Sequence, residues 1–378
     1  KMEALKLELA GLRAEKEKLE EVAAVEEKGT AKGRTYEEEV AEAIEAIAAA
    51  RAAGIRTVMI TGDHAATAQV IARELGILRP GEPPGELVHA RATPEDKLGI
   101  VRAWKARGAI VAMTGDGVND APALREAHVG IAMGKTGTEV TREVSDIVLA
   151  DDNFASIVAA IREGRGIFDN IRKALVYLLA GNVAELAVML IASLAGLPLP
   201  LLPLQLLWIN LVTDGLPALA LVMDPTEADA MTRPPRPPTE PILGRPEWSA
   251  VAVTGVLLTA VTIAVYVRAL DGGDLTRARS LAFAVLVVGQ LFRSFASRST
   301  TAVFWQVGAL SNLALLAVVI ASVAFQFLIH SVAWTRELFD IGLLAPPDAA
   351  LCLGLALVPV TVVEIAKLVR QRGRYHGT

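Results

Sequence analysis

Two acidic residues, Asp116 and Asp120, lie four residues apart in a glycine-rich segment that directly follows a short apolar run. The run, residues 108–112, predicts a buried strand, and open α/β sheets bind ligands at the carboxyl ends of their strands. A pair of carboxylates at such an edge suits a hard cation such as Mg²⁺. Although Asp-Gly by itself is a common turn signal, residues 113–124 form a more specific pattern: Met-Thr-Gly-Asp-Gly-Val-Asn-Asp-Ala-Pro-Ala-Leu.

A second predicted strand, residues 56–60, ends in a similar way, because Thr61, Gly62 and Asp63 follow it at once. A helical pattern begins two residues later. Thr61 therefore lies where the tip of a strand meets the amino end of a helix, an arrangement that favours anion binding.

Two cations lie between these predicted strands. Arg91 precedes, and Lys97 begins, a predicted helix over residues 97–107. A lone lysine is usually a solvent-exposed side chain, but between two phosphate-type loops Lys97 is a candidate for neutralising charge on a transferring phosphoryl group. A hydroxyl with backbone amides, a cation and a carboxylate-held metal are parts that phosphoryl transfer needs. The part not yet identified is the nucleophile.

The composition changes after about residue 165, where long apolar runs begin, and the whole chain is 53% hydrophobic. A helix that crosses a bilayer needs roughly 20 apolar residues. Six segments qualify, the fourth being interrupted by Gln290 and Arg293: 174–197, 201–222, 250–270, 281–295, 307–329 and 343–368. The sequence therefore predicts a membrane protein with a soluble head. The chain has no signal-peptide pattern and starts at Lys1, so we expect a fragment.

Basic residues set the expected orientation, because most of them fall on the side of the soluble head and the positive-inside rule makes that side cytoplasmic. They are Arg233, Arg236 and Arg245 after the second span, Arg293 and Arg298 after the fourth, and Lys367, Arg370, Arg372 and Arg374 after the sixth. Arg277 and Arg279 on the other side are a mild exception. We expect a plasma membrane, bacterial or equivalent.

Other features of the composition exclude some classes of function. The single cysteine, Cys352, excludes an intrachain disulfide, and a net charge of −5 spread over both signs gives no indication of nucleic-acid binding. Residues 1–53 are predicted to be an atypical helical segment without recognisable chemistry. Within it, residues 1–28 predict a solvated helix, and residues 37–53 predict an amphipathic helix leading into the first strand.

Polar residues inside the first two spans indicate an ion path. Asn182 and Glu185 share one helical face of the first span, and Asn210, Thr213 and Asp214 share one face of the second. An acid at mid-bilayer costs a few kcal/mol on insertion scales and commonly marks an ion path. A hydrogen-bonded helix pair without transport is the alternative.

The chemistry of these side chains indicates the kind of ion. Two acids with neutral oxygens, all hard ligands, match Ca²⁺ better than a transition metal. Gly215 and Pro217 follow at once and are expected to loosen the second helix, freeing backbone carbonyls.

These motifs together resemble the P-type ATPases. Thr61-Gly-Asp, the segment from Thr114, Ile131-Ala-Met-Gly134 and Ala150-Asp-Asp-Asn-Phe-Ala-Ser-Ile-Val158 resemble the phosphorylation domain. The segment 204–218, Leu-Gln-Leu-Leu-Trp-Ile-Asn-Leu-Val-Thr-Asp-Gly-Leu-Pro-Ala, with Asp224-Pro and Met231-Thr-Arg-Pro-Pro-Arg236, resembles the calcium-pump branch (sarco/endoplasmic reticulum-like).

The resemblance runs from about residue 54 to the carboxyl end and implies a fold. That fold is an α/β haloacid-dehalogenase-like (Rossmann-type) domain followed by an all-α six-helix transmembrane bundle. It divides the chain into a partial phosphorylation domain (54–152), a stalk helix (153–173) and a transmembrane domain (174–378).

The same resemblance implies roles for individual residues. Those that handle the ATP phosphates or the aspartyl phosphate are Thr61, Gly62, Asp63, Arg91, Lys97 and Asn119. Asp116 falls on the Mg²⁺ ligand and Asp120 on its supporting carboxylate. The implied calcium ligands are Asn182, Glu185, Asn210, Thr213 and Asp214. Gln290 replaces a glutamate of the two-site pump, which leaves one or two ions per cycle open; Glu185 favours two, because single-site relatives tend to lack an acid there.

The family's phosphorylated aspartate, in Asp-Lys-Thr-Gly-Thr, is not in this chain. Gly134-Lys-Thr-Gly-Thr138 carries glycine in its place, and we interpret it as a glycine-rich loop. The nucleotide-binding domain, the actuator domain and the first four spans would belong to a missing amino-terminal part. That part, ATP, the transported cation and membrane lipid are the implied partners. The chain alone should not complete the cycle.

We therefore predict ATP-driven cation transport, of Ca²⁺ foremost, through an aspartyl phosphate formed outside this chain, with Mg²⁺ as cofactor. One alternative is a pump for Mn²⁺ or for Na⁺ and K⁺, although Asn210 stands where sodium pumps carry an acid. The other is a truncated, non-catalytic membrane paralogue. The gene sequence upstream of Lys1 distinguishes a pump fragment from a truncated paralogue, because an open reading frame encoding Asp-Lys-Thr-Gly-Thr there would support the interpretation as a fragment.

Overall fold

The computed structural model describes residues 36–375 of the chain, so the predicted helix over residues 1–28 lies outside the described residues. The chain folds into two compact units. The first runs up to Arg162 and includes Asp229–Pro238, and the second contains Glu163–Ala228 and continues from Thr239.

The first unit is an α/β fold in which every strand pairing among the described residues is parallel. Strand β1 pairs with β2, and β3, β4 and β5 form a second sheet in that order. The helices α1 to α5 connect or flank the strands. In chain order the elements are α1 (Tyr36–Ala52), β1 (Met59–Ile60), α2 (Ala65–Glu74), β2 (Val88–His89), α3 (Pro94–Ala106), β3 (Ala112–Gly115), α4 (Ala121–Glu126), β4 (Val129–Met133), α5 (Glu139–Val144) and β5 (Ile147–Leu149).

The predicted α/β class is confirmed, but β3 begins where the predicted strand 108–112 ends. Thr114 pairs with Ile131, and Gly115 pairs with Ala132. The first residues of the segment 113–124 are thus part of the sheet itself. Asp116 is consequently the first residue beyond the carboxyl end of β3.

The start of α3 is determined by local sequence. The Thr93 hydroxyl accepts a hydrogen bond from the Asp96 amide at 3.2 Å, the Asp96 carboxylate accepts one from the Thr93 amide at 2.9 Å, and Pro94 occupies the first turn. This is a capping box, which satisfies free amides at a helix start. The bond from the Thr93 amide lowers the pKa of Asp96. The box places Lys97 on the first turn of α3.

One carboxylate holds the glycine-rich loop between β4 and α5. Asp152 accepts hydrogen bonds from the amides of Gly134, Lys135 and Thr136 at 2.6, 3.0 and 2.8 Å, and from the Thr136 hydroxyl at 2.9 Å. Partial burial raises the pKa of Asp152, but these hydrogen bonds outweigh burial and lower it overall. The loop is therefore ordered by a residue that follows it in sequence by more than a dozen positions.

The second unit is helical, and the described residues contain six helices long and apolar enough to cross a membrane, which confirms the predicted number. They are Phe154–Leu194, Pro203–Val222, Arg245–Leu270, Leu275–Ala296, Leu313–Ser331 and Pro346–Arg372. The first of them, α6, is continuous over 41 residues and so includes both the predicted stalk and the predicted first span. The chain is therefore an integral multi-pass membrane protein.

The remaining elements follow α6 in chain order. They are α7 (Pro203–Trp208), a π-helix (Ile209–Asp214), α8 (Gly215–Val222), α9 (Arg245–Leu270), α10 (Leu275–Ala296), α11 (Phe304–Val307), α12 (Leu313–Ser331), α13 (Ala333–Phe339) and α14 (Pro346–Tyr375).

The second spanning helix is irregular at its centre, where the π-helix separates α7 from α8. Pro217 has no N–H and cannot donate to the carbonyl of Thr213 four residues earlier. That carbonyl accepts the Tyr177 hydroxyl instead, at 3.1 Å. The expected loosening of this helix is confirmed, and its irregular turn carries three of the predicted ion ligands, Asn210, Thr213 and Asp214.

Two arginines that we expected in the loop after the fourth span are buried. Arg293 lies inside α10 and Arg298 two residues beyond it, and each is 3% exposed. The expectation of a loop position is wrong for Arg293, because α10 continues through it and its guanidinium Nη2 donates to the Tyr177 carbonyl at 2.5 Å. Lys367 likewise lies within α14 and is buried.

Replacing Asp152 by asparagine is expected to loosen the 134–138 loop. Asparagine can adopt the left-handed φ of 59° that this position requires. The substitution removes the negative charge that accepts hydrogen bonds from three loop amides. A hydrogen bond to a charged group contributes about 1.5–3 kcal/mol to stability. Amide exchange of the loop, followed by mass spectrometry, should accelerate about tenfold. In the wild type the protection should persist above the ordinary carboxyl pKa of 3.8 and disappear as the pH falls through the lowered value.

Asp151→Asn is the matched control. The Asp151 carboxylate accepts bonds from the Ser156 hydroxyl and the Asn153 amide, neither of which belongs to the loop. Equal loop exchange in the two variants would contradict the role of Asp152.

Candidate functional site

The carboxyl end of β3 presents two acids in different environments. Asp120 is 4% exposed, and its carboxylate accepts hydrogen bonds from Lys97 Nζ at 2.5 Å and from the Gly117 amide at 3.3 Å. Asp116 is exposed, and its carboxylate forms no hydrogen bond with any residue that the structure describes. Asp120 is thus engaged in holding Lys97, whereas the oxygens of Asp116 are available to a cation.

Gly115 is required by the approach of Asp120. A Cβ at position 115 would lie 2.6 Å from the Asp120 Cβ, a distance that side chains do not tolerate. The glycine therefore allows the buried acid to fold back against the end of β3.

The end of β1 carries the predicted phosphate-binding residues. The Thr61 hydroxyl donates to Asp63 Oδ2 at 3.0 Å and accepts from the Asp63 amide at 3.1 Å. The Arg91 amide donates to the Asp63 carbonyl at 3.0 Å, so the segment after β2 lies against the segment after β1. Gly62 and the side chain of Arg91 are exposed beside them.

The two strand ends belong to one neighbourhood. Ile60, the last residue of β1, packs in the same apolar cluster as Met113 of β3 and Val101 of α3. Thr61 and Asp116 therefore each follow a strand of this shared core. Asn119, in the turn before α4, is exposed.

The glycine-rich loop is adjacent to this edge. The Thr138 amide donates to the Asp116 carbonyl at 3.0 Å, and Thr138 caps the amino end of α5. No residue of the loop carries a carboxylate. This position supports the interpretation of residues 134–138 as a structural loop beside the site.

The second set of predicted ligands lies in the helical unit, around Glu185. Glu185 is 5% exposed; its Oε2 accepts a hydrogen bond from Asn210 Nδ2 at 3.2 Å and its Oε1 accepts one from Gln290 Nε2 at 3.0 Å. Glu185 is thereby held from the π-helix and from α10. Asn182, Glu185 and Asn210 also line a cavity of about 370 Å³.

Asp214 has no hydrogen-bond partner among the described residues, although the buried guanidinium of Arg293 attracts its charge. It is 1% exposed, and neither carboxylate oxygen has a hydrogen-bond partner in the part of the chain that the structure describes; the same is true of the buried Gln290 Oε1. Burying an ionised carboxylate without a partner is very costly. Three unpartnered oxygens beside Glu185 therefore fit a cation that carries its own charge into the site.

Gly181 shows that the side chains of Asp214 and Gln290 converge. A Cβ on Gly181 would lie 3.0 Å from Asp214 Oδ2 and 2.9 Å from Gln290 Nε2. Asp214 and Gln290 thus flank the backbone of α6 at the point where that helix lacks a side chain. Thr213 is buried close by in sequence, and its hydroxyl donates to the Ile209 carbonyl of its own helix at 2.9 Å.

Sequence reasoning missed two neighbours of these ligands, Tyr177 and Arg293. The Arg293 guanidinium lies 4.5 Å from the centroid of the Tyr177 ring, a cation–π contact. The signal was available for Arg293, because a charged residue inside a span is a candidate functional residue. For Tyr177 no signal in the sequence separates it from other aromatic residues of a helix.

Comparisons with known proteins agree in both units. Residues 198–369 match the family described as cation transporting ATPase, C-terminus, and residues 2–128 match haloacid dehalogenase-like hydrolase. Over 352 residues the chain is 44% identical to a calcium-transporting ATPase of Bacillus subtilis (strain 168), covering 88% of this chain and 39% of that protein.

Two further relatives match this chain over a comparable length. The probable cation-transporting ATPase F of Mycobacterium tuberculosis (strain H37Rv) is 41% identical over 349 residues, covering 86% of this chain and 38% of that protein. The calcium-transporting ATPase lmo0841 of Listeria monocytogenes (strain EGD-e) is 40% identical over 344 residues, covering 85% and 38%. The chain thus spans less than half the length of these curated relatives.

Proposed function

The chain belongs to the cation-transporting P-type ATPases, and from this premise we propose that the complete protein uses ATP to move Ca²⁺ across a membrane. The observation that carries the proposal is the set of buried oxygens without partners on Asp214 and Gln290, next to Glu185. Ca²⁺ takes six to eight oxygen ligands in flexible geometry. Two carboxylates with amide oxygens are a donor set of this kind.

The ion would be held mainly from α6 and from the π-helix. Asn182 and Glu185 are on α6, and Asn210, Thr213 and Asp214 belong to the π-helix. Gln290 is the proposed contribution of α10, through its unpartnered Oε1. A cation there would balance two acids that the membrane interior otherwise disfavours.

In the α/β unit, we propose that Asp116 holds Mg²⁺, which when bound would neutralise charge on the phosphoryl group that is transferred. The exposed carboxylate without a hydrogen bond fits this cofactor, and Asp120 fits a supporting role because its oxygens are already engaged by Lys97 and Gly117. Lys97 would place its charge beside the phosphoryl oxygens.

The phosphoryl oxygens themselves would be bound by the Thr61 hydroxyl, the Gly62 amide, Arg91 and Asn119. The phosphorylated aspartate would lie outside this chain, as would the parts that bind the adenine of ATP. Since α6 contains both the predicted stalk and two of the ion ligands, we propose that this helix couples phosphorylation to the ion site. The predicted location is a plasma membrane.

Asp214→Asn in the complete protein is expected to abolish Ca²⁺-dependent phosphorylation from ATP while leaving membrane insertion intact, because the amide removes the charge that compensates the ion. Gln290→Ala should have a smaller effect, a rise of about tenfold in the Ca²⁺ midpoint, since it removes one neutral oxygen and the bond that holds Glu185. The measurement is the phosphoenzyme level against free Ca²⁺, repeated with Mn²⁺.

Gln326→Ala is the matched control for the amide. Gln326 is fully buried in α12 and also has an unpartnered Oε1, but it hydrogen-bonds towards His330. An unchanged Ca²⁺ midpoint in the Asp214→Asn variant would show that the helix face carrying Asp214 serves only helix packing and does not bind the ion. A wild type that responds to Mn²⁺ at lower concentration than to Ca²⁺ would change the proposed substrate.

Asp116→Asn is expected to raise the Mg²⁺ concentration at half-maximal phosphorylation (the Mg²⁺ midpoint) by about tenfold or more, because a hard cation loses a charged ligand. Phosphoenzyme formed at saturating ATP is measured against free Mg²⁺. Asp146→Asn is the control, because Asp146 precedes β5, away from the carboxyl ends of the strands, and its carboxylate accepts a bond from the Gly130 amide at 2.8 Å. An unchanged Mg²⁺ midpoint in Asp116→Asn would remove Asp116 from the metal site.

A further inference from the structure

A buried polar cluster surrounds the carboxyl end of α8, away from the ion ligands. We refer to Asn170, Asp224, Arg298 and Asn312 as the α8 clamp. Each of these residues is between 3% and 7% exposed. Val222, the last residue of α8, is eight residues beyond Asp214, which corresponds to about 12 Å along a helix.

The clamp holds the last carbonyls of α8 from two sides. Asn312 Nδ2, at the start of α12, donates to the Ala220 carbonyl at 3.0 Å. Asn170 Nδ2, on α6, donates to the carbonyls of Val222 at 3.3 Å and Asp224 at 2.5 Å. The last carbonyls of a helix have no partner within it, so these side chains stabilise the end of α8.

The carboxylate of Asp224 is the centre of the clamp. Its Oδ1 accepts hydrogen bonds from Arg298 Nε and from Asn312 Nδ2, both at 2.8 Å. Lys173 Nζ lies 3.9 Å from Oδ2 and forms its closer ion pair, at 2.8 Å, with Glu227. Asp224 is therefore joined to the chain segments that follow α10 and precede α12.

Arg298 uses its remaining donors to hold the segment before α12. Its Nη1 donates to the Gly308 carbonyl and its Nη2 to the Ser311 hydroxyl, each at 2.7 Å. A planar guanidinium makes such divergent bonds in fixed directions, which a lysine cannot reproduce. Removing one member of a buried ion pair leaves an uncompensated charge, so the segment after α8 has little freedom to move while the pair is intact.

The position of the clamp connects it to the ion ligands. Helix α8 continues directly from the π-helix that carries Asn210 and Asp214, so a shift at its carboxyl end moves those residues. Ligand oxygens must lie 2.3–2.6 Å from Ca²⁺, and binding sites tolerate misplacement of only about 0.5 Å. Small displacements at the clamp therefore change the affinity for the ion.

We propose that Arg298 is a positioning residue for the transported cation. By holding Asp224, it fixes the carboxyl end of the helix that carries the ligands, and so raises Ca²⁺ affinity without contacting the ion. This inference rests on the proposed function, because it takes Ca²⁺ as the ion that occupies the site.

A second buried ion pair provides a matched control. Lys367 Nζ donates to Glu364 Oε1 at 2.7 Å and to the Ala296 carbonyl at the end of α10 at 2.6 Å, and both side chains are about as buried as Arg298. The hydrogen bonds of this pair reach α10 and the Phe304 amide but no residue of α8. Losing it costs a buried pair and a helix cap while leaving the α8 clamp in place.

The test compares Arg298→Gln, Asp224→Asn, their double variant and Lys367→Gln in the complete protein. Two quantities are measured: phosphoenzyme from ATP against free Ca²⁺, and phosphoenzyme from inorganic phosphate with Mg²⁺ and no Ca²⁺. Arg298→Gln and Asp224→Asn should each raise the Ca²⁺ midpoint about tenfold and leave the phosphate reaction unchanged. The double variant should shift the midpoint by less than the product of the two, and Lys367→Gln should not shift it.

Arg298→Lys, which keeps the charge but loses the divergent bonds, should raise the midpoint about threefold; this variant decides the question if Arg298→Gln does not accumulate in the membrane. A Ca²⁺-dependent wild type with unshifted Arg298 variants overturns the positioning role alone. Equal shifts in Lys367→Gln, or parallel loss of the phosphate reaction, overturn it in favour of a general structural role. A wild type that does not respond to Ca²⁺ overturns the proposed function and this inference with it.

Discussion

The helical unit depends on one electrostatic constraint, the compensation of the Asp214 carboxylate. This group is almost completely buried and has no hydrogen-bond partner. The group is shielded from water, and the described residues place no hydrogen-bond donor on it. The buried guanidinium of Arg293 offsets its charge in part, and a proton or a bound cation would supply the rest. A protein that only needed a stable helix pair would gain by replacing this acid with an apolar residue. The cost is understandable if the charge is used to bind an ion.

The surrounding structure keeps that carboxylate free. Glu185 accepts the amides of Asn210 and Gln290, so these donors are directed to the neighbouring acid. Tyr177 takes the carbonyl of Thr213, which Pro217 leaves without its helical partner. A π-helix is a local irregularity of a kind that often occurs at functional sites. The irregular turn and the missing side chain at Gly181 together let the Asp214 carboxylate lie close to the backbone of α6.

The α/β unit differs from the helical unit in how its acids are compensated. The buried Asp120 is paired with Lys97, whereas the carboxylate of the exposed Asp116 forms no hydrogen bond with the described residues. Asp120 is held by Lys97, whose position follows from the capping box at the start of α3. Asp116 projects from the end of β3 without a hydrogen bond among the described residues. A preorganised cation next to an available carboxylate suits the proposed binding of phosphate and a divalent metal, because little reorganisation is then needed.

The sequence alone determined the features that depend on short stretches of chain. Apolar length identified the six membrane helices, helical periodicity placed Asn182 with Glu185 and Asn210 with Asp214, and the polar residues after two apolar runs identified the strand ends. The tertiary structure decided which groups are partners. Gln290 binds Glu185, Arg293 lies inside a span against Tyr177, and Arg298 pairs with Asp224, although each pair is separated by more than 70 residues. Composition and periodicity describe one element at a time, whereas the partner of a buried charge is set by the packing of elements that are distant in the chain.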